Sequence, residues 1–136
     1  MCNFVRYIFY TILQTGSMKK EFKGERLYDL SNLEEISGGS QDFIYQMLQL
    51  FLDQSESVIL GFKAALDAQD LATIRSLAHQ IKPSIDNIKI HPLSKLIREV
   101  ESAAEDNQPF QELKNKIHQS VEWLEKVNLQ LREELE

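Results

Sequence analysis

Cysteine is almost missing from this chain of 136 residues: Cys2, near the start, is the single one. One thiol excludes an internal disulfide framework and any cysteine-built zinc site. Its place at the terminus is poor for a catalytic thiol. Proline, with three residues, and glycine, with five, are scarce too. No glycine-rich loop exists to cradle a phosphate, so no nucleotide site is recognisable. No apolar run is long enough to span a bilayer: residues 4–13 cover about half the required length, and Arg6 interrupts them. That stretch also lacks the basic start and small-residue cleavage site of a secretory signal. Sustained strand-like alternation is absent as well.

Positive charge is in short supply. Fifteen Lys and Arg face 21 Asp and Glu, for a net charge of −6. Residues 1–20 hold Arg6, Lys19 and Lys20 and no acid, a charge of +3, so the body carries −9. An acidic body argues against nucleic-acid binding, which relies on Lys and Arg neutralising phosphates. The acids Glu122, Glu125, Glu133, Glu134 and Glu136 read as a solvated helix face. What is abundant is ordinary: 43% hydrophobic and 26% charged residues, in a length that suits one domain with its own core.

Two parts are expected, an N-terminal extension over residues 1–26 and a helical bundle over 27–136. Gly16-Ser17 breaks the apolar start and Met18 follows. The favoured reading is an upstream extension, with translation starting at Met18. The alternatives are an extra helix covering part of the bundle and a membrane-surface segment. From Leu27 the pattern is helical. Asp29 or Ser31 caps a short helix through Ile36 that stops at Gly38-Gly39. Ser40 caps a second, whose apolar residues Phe43, Ile44, Met47, Leu48 and Phe51 recur at helical spacing. Gln54-Ser55-Glu56 either bends it or separates it from a helix over Val58–Ala68. Asp70 caps the next, to about Ile88. His91-Pro92 opens another, and Pro92 suits its first turn. After a break at Asn107-Gln108-Pro109 the last helix runs from Phe110 towards Leu135. Short connections make consecutive helices antiparallel neighbours. The expected fold is all-α, an up-and-down antiparallel four-helix bundle with one or two additional N-terminal helices.

The segment Leu77-Ala78-His79-Gln80-Ile81-Lys82-Pro83-Ser84 carries the chemistry. At about 100° per residue, Leu71, Ile74, Leu77, Ala78, Ile81, Ile85 and Ile88 share one face, and His79 points roughly 140° away from it. Arg75, Lys82 and Asp86 share its side, at spacings where helix side chains meet. A histidine facing water beside cations suits phosphoryl transfer. A near-neutral imidazole is a nitrogen nucleophile, adjacent cations disfavour imidazolium, and they stabilise the transferred charge. Pro83 removes a backbone hydrogen bond to the His79 carbonyl and predicts a kink there. Ser84 is placed to offer its hydroxyl to a phosphate or to a freed carbonyl.

Ala78-His79-Gln80-Ile81-Lys82-Pro83-Ser84-Ile85-Asp86-Asn87-Ile88 resembles the signature of histidine-containing phosphotransfer domains, roughly A-H-x-L-K-G-S-x-x-x-[LV]-G. Pro83 and Lys89 stand where that pattern has glycines. The stretches Tyr28–Ser40 and Phe43–Leu52 are similar to the family's opening segment and first bundle helix. The resemblance covers about residues 27–130. It implies that His79 is the phospho-acceptor, that Lys82 stabilises the phosphate and that Ser84 is a candidate for support; Arg75 is a further candidate from its place on the His79 side of the helix. The resemblance further implies a monomeric, cytoplasmic phosphorelay intermediate without ATP-dependent kinase activity or a cofactor of its own. His79 would accept phosphate from the aspartyl-phosphate of a response-regulator receiver domain and pass it to another receiver. The Mg²⁺ would belong to the receiver, which could be part of a hybrid histidine kinase. No membrane span and no nucleic acid are expected.

Two rival readings are weighed beside it. A di-iron bundle needs Glu-x-x-His pairs, but Ser76, Ile88 and Asn115 precede the three histidines by three residues. A non-catalytic bundle that binds receivers without carrying phosphate stays open, because the two glycines are missing. His91 reads as structural, His118 as a surface residue and Trp123 as packing.

Overall fold

A computed structural model describes residues 25–106 and 108–136, and among them every regular element is an α-helix. The expected extension, with its alternative start at Met18, lies almost wholly in residues 1–24, outside the described residues. The helices are α1 (Ser31–Ser37), α2 (Gln41–Ala68), α3 (Leu71–Asn87), α4 (His91–Glu105) and α5 (Phe110–Leu135). Each of α2 to α5 packs against two neighbours, in the closed order α2, α3, α4, α5 and back to α2, and α1 lies against α2. Among the described residues this is the antiparallel four-helix bundle with one added N-terminal helix.

Local chemistry sets the boundaries. The Asp29 carboxylate accepts from the Ser31 N–H, so Asp29 rather than Ser31 serves the start of α1. Ser40 accepts from the Phe43 N–H and Asp70 from the Thr73 N–H, the two expected side-chain caps. Gly38 and Gly39 close α1 in the left-handed conformation that glycine adopts without strain.

One expectation fails. Gln54-Ser55-Glu56 does not separate two helices; α2 runs unbroken through it for 28 residues. Polarity alone does not end a helix. Ser55 is fully buried and Gln54 half-buried, both facing inward, while Glu56 points out and pairs with Arg132 of α5.

The core is a continuous apolar cluster to which all five helices contribute, with Phe62, Ile74, Ile81, Leu93, Ile97, Leu113 and Leu124 fully buried. Gly61 lets α2 and α3 come close: a Cβ there would lie 2.8 Å from Leu77 Cδ1. Residues 25–30 run across the end of the bundle. The Leu27 N–H donates to the Gln130 Oε1, the Tyr28 hydroxyl to Glu134, and the Asp29 N–H to the Ile88 carbonyl.

Just after α3, Lys89 adopts φ 51°. This is the left-handed region, which costs an L-residue about 1–2 kcal/mol. Glycine escapes that strain but stabilises the unfolded chain through its extra freedom. Lys89→Gly is therefore expected to raise stability by about 0.5–1 kcal/mol and the Tm by a few degrees, as a thermal melt would read. A lower Tm would mean that the 3.3 Å contact from Lys89 Nζ to the Ser31 hydroxyl outweighs the relief.

Candidate functional site

Helix α3 positions the site because its apolar stripe fixes its rotation. Ile74, Ala78, Ile81 and Ile85 are fully buried, which turns His79 outward, and its side chain is 71% exposed. This is the direction that the helical wheel predicts.

Across the seam, α4 supplies Glu101. One carboxylate oxygen lies 3.0 Å from His79 Nδ1 and the other accepts from Lys82 Nζ at 2.9 Å. A carboxylate can only accept, so a neutral His79 ring carries its proton on Nδ1 and its lone pair on Nε2. Nε2 makes no hydrogen bond among the described residues. The result is a nucleophilic nitrogen held at a fixed orientation and open to an approaching group. Lys82 lies along the seam at 25% exposure with its ammonium anchored, and Glu101 is 17% exposed.

The Glu101 carboxyl is held below the usual carboxylate range, chiefly by the hydrogen bond from Lys82 and then by His79. A lowered folded pKa stabilises the fold above the unfolded value of about 4.3, and that contribution disappears as pH falls through the folded value. Acid titration of the Tm is therefore expected to show a smaller drop below about pH 4 in Glu101→Gln than in the wild type. Equal drops would show that the pairing contributes nothing to stability.

The other candidates separate. Arg75 pairs with Glu105 at 3.3 Å, one turn before His79, with both side chains more than half exposed; such pairs are worth little. Ser84 lies on the opposite flank. Its hydroxyl donates to Gln54 Oε1 of α2 at 2.6 Å, a side-chain amide and not a backbone carbonyl. Gln54 Nε2 in turn donates to the Gln80 carbonyl at 3.3 Å. Pro83 is accommodated inside a helix that continues to Asn87. Below Lys82, Arg98 grips Asp86 with both nitrogens, at 3.1 and 2.6 Å, while Ser94 donates to the same carboxylate. That grip, led by Arg98, holds the Asp86 carboxyl below its ordinary range. The seam thus carries Arg75–Glu105, His79 and Lys82 on Glu101, and Asp86 with Ser94 and Arg98, in antiparallel order.

Glu101 and Gln54 were missed as site residues in the sequence, where nothing singles out Glu101 and Gln54 reads only as part of a polar break. The signal for Glu101 was its place in a polar stripe of α4, with Ser94, Arg98 and Glu105, at the helical spacing that also sets Arg75, His79, Lys82 and Asp86 in line. Among the described residues no group of His, Cys, Asp or Glu is arranged to hold a metal ion, and no helix is long and apolar enough to cross a membrane.

Residues 46–136 match the family described as Hpt domain. Two solved structures are similar. One is the HPT domain of an Hpt sensor hybrid histidine kinase from Shewanella, at 20% identity and a TM-score of 0.69, covering 79% of this chain and 92% of that one. The other is histidine-containing phosphotransfer protein B from Pseudomonas aeruginosa PAO1, at 25% identity and a TM-score of 0.69, covering 82% and 92%. No curated protein matches the chain.

Proposed function

The chain belongs to the Hpt domain family of two-component phosphorelays, and from that premise we propose that His79 is its phosphoryl carrier. The observation that carries this reading is the Glu101 carboxylate on Nδ1, which leaves the lone pair on an outward-facing Nε2. The donor is the aspartyl-phosphate of a response-regulator receiver domain, and the acceptor is the aspartate of a second receiver. Nε2 attacks phosphorus in line; the N–P bond forms as the P–O bond to the receiver's aspartate breaks, and the carboxylate departs with that electron pair. The ring keeps its Nδ1 proton and gains positive charge, which Glu101 faces at 3.0 Å. Lys82, one turn away, turns its ammonium towards the incoming oxygens. Mg²⁺ is supplied by the receiver.

Transfer of this kind needs positioning and charge neutralisation more than acid–base machinery. The protein therefore acts as a carrier without kinase activity of its own, as a cytoplasmic monomer. The receiver docks over the outer faces of α2 and α3. There a cleft of about 330 Å³ is lined by Leu33, Met47, Leu50, Phe51, Ser84 and Ile88, and Leu50 stands 61% exposed. An apolar surface of this kind, on the Ser84 flank of α3, is what docking surfaces present.

The test is incubation with a receiver carrying labelled phosphate. Acid-labile, base-stable label on the chain is expected. Receiver binding without any label would overturn the proposal in favour of a non-catalytic receiver-binding bundle, the reading that Pro83 favours.

A further inference from the structure

Helix α3 contains a defect beside its functional residue. Pro83 has no N–H, so the carbonyl of His79 loses its helical partner, and the proline ring crowds that same carbonyl. The turn that carries the site is thus an interior turn of α3 lacking one of its backbone bonds. A side chain from another helix spans it. Gln54 of α2 accepts from the Ser84 hydroxyl at 2.6 Å and donates to the Gln80 carbonyl at 3.3 Å. The amide orientation follows from the chemistry: a carbonyl only accepts, so nitrogen must face Gln80 and oxygen the hydroxyl. The two anchor points, Gln80 and Ser84, flank Pro83 and are one turn apart.

We propose that Gln54 is a positioning residue for phosphoryl transfer, acting as a clamp that braces the turn weakened by the backbone bond lost at Pro83. This inference rests on the reading of His79 as the carrier. From one side, Glu101 holds the imidazole ring; from the other, Gln54 holds the backbone to which that ring is attached. Without the clamp the 80–84 turn pivots about the missing bond, and Nε2 swings relative to Glu101. In-line transfer is sensitive to such displacement, since a shift of about 1 Å can cost on the order of a hundredfold in rate. Gln54 and Ser84 also line the cleft between α1, α2 and α3. The rival role is direct contact with the receiver, which would change binding and leave the bound-state rate alone.

The experiment measures single-turnover transfer from a phosphorylated receiver at saturating concentration, together with the receiver's Kd, in the full chain. Gln54→Leu keeps a similar volume and removes both polar contacts, while the Gln80 carbonyl keeps its helical partner, the Ser84 N–H. It is expected to slow transfer about tenfold with less than a twofold change in Kd. In a Pro83→Gly background, which restores the N–H, the same substitution is expected to cost less than twofold. Ser84→Ala, which removes one anchor, should show a smaller slowing than Gln54→Leu and serves if that variant folds poorly. Amide hydrogen exchange at Ser84 and Ile85 should accelerate in Gln54→Leu, a readout that does not depend on transfer. Wild-type transfer rates in the variants, a penalty undiminished by Pro83→Gly, or a loss confined to Kd would each overturn the clamp. A wild type that takes no label defeats the carrier reading instead, and the exchange data then still report whether Gln54 holds the turn.

Discussion

His79→Gln is expected to abolish phosphoryl labelling, lowering it by at least about a thousandfold to background, while the fold survives intact. Glutamine matches much of the reach of the ring and can hydrogen-bond to Glu101, but it offers no nucleophilic nitrogen to form the N–P bond. The His79 side chain is 71% exposed, so the change in stability should stay within about 0.5 kcal/mol. Glu101 retains Lys82 as its partner, which avoids an orphaned carboxylate. Label counting, thermal melting and receiver binding are measured on the same preparation. Neither His91 nor His118 shares the Glu101 arrangement, so neither should take up label in the variant. Labelling retained in His79→Gln would sink the assignment of this residue, whatever the fold.

Phe62→Ala is expected to have the largest effect on stability. Phe62 is fully buried and is the largest of the fully buried side chains, in the last third of α2. Removing a buried phenyl ring costs about 3–5 kcal/mol, through lost transfer energy and the cavity left behind. The upper part of that range is expected here. Next to it, Gly61 already brings α2 close to Leu77 of α3, so the two helices have little room to close over the hole. For a domain of this size the Tm should fall on the order of 10–20 °C. Denaturant melts should show an unchanged m-value, since the surface exposed on unfolding is nearly the same. A drop of less than about 1 kcal/mol would mean that the bundle collapses around the cavity.

The helices were legible because their signals are local. Ser40 and Asp70 cap where they should, the glycines stop α1, and the stripe of α3 faced inward closely enough to place His79 on the surface. The polar run at Gln54 misled because its polarity alone suggested a bend or a break. Gln54 and Ser55 turn inward to meet Ser84 and the core, information that lies in α3 and not in α2. Glu101 was invisible for the same reason. It is 22 residues from His79, and only the antiparallel register of α3 and α4 brings its two oxygens onto His79 and Lys82. A residue's own helix predicts which way it points; what it meets there depends on the neighbour's phase.

The seam between α3 and α4, with its three successive charged pairings, also bears on direction. A nucleophile on a stiff, open surface makes no closing motion that could reward one partner over another. In the proposed relay, any receiver that fits the face of α2 and α3 meets the same ring at the same angle, whether it arrives loaded or empty. Transfer is then as easy backwards as forwards, and phosphate runs towards whichever aspartate holds it at lower free energy.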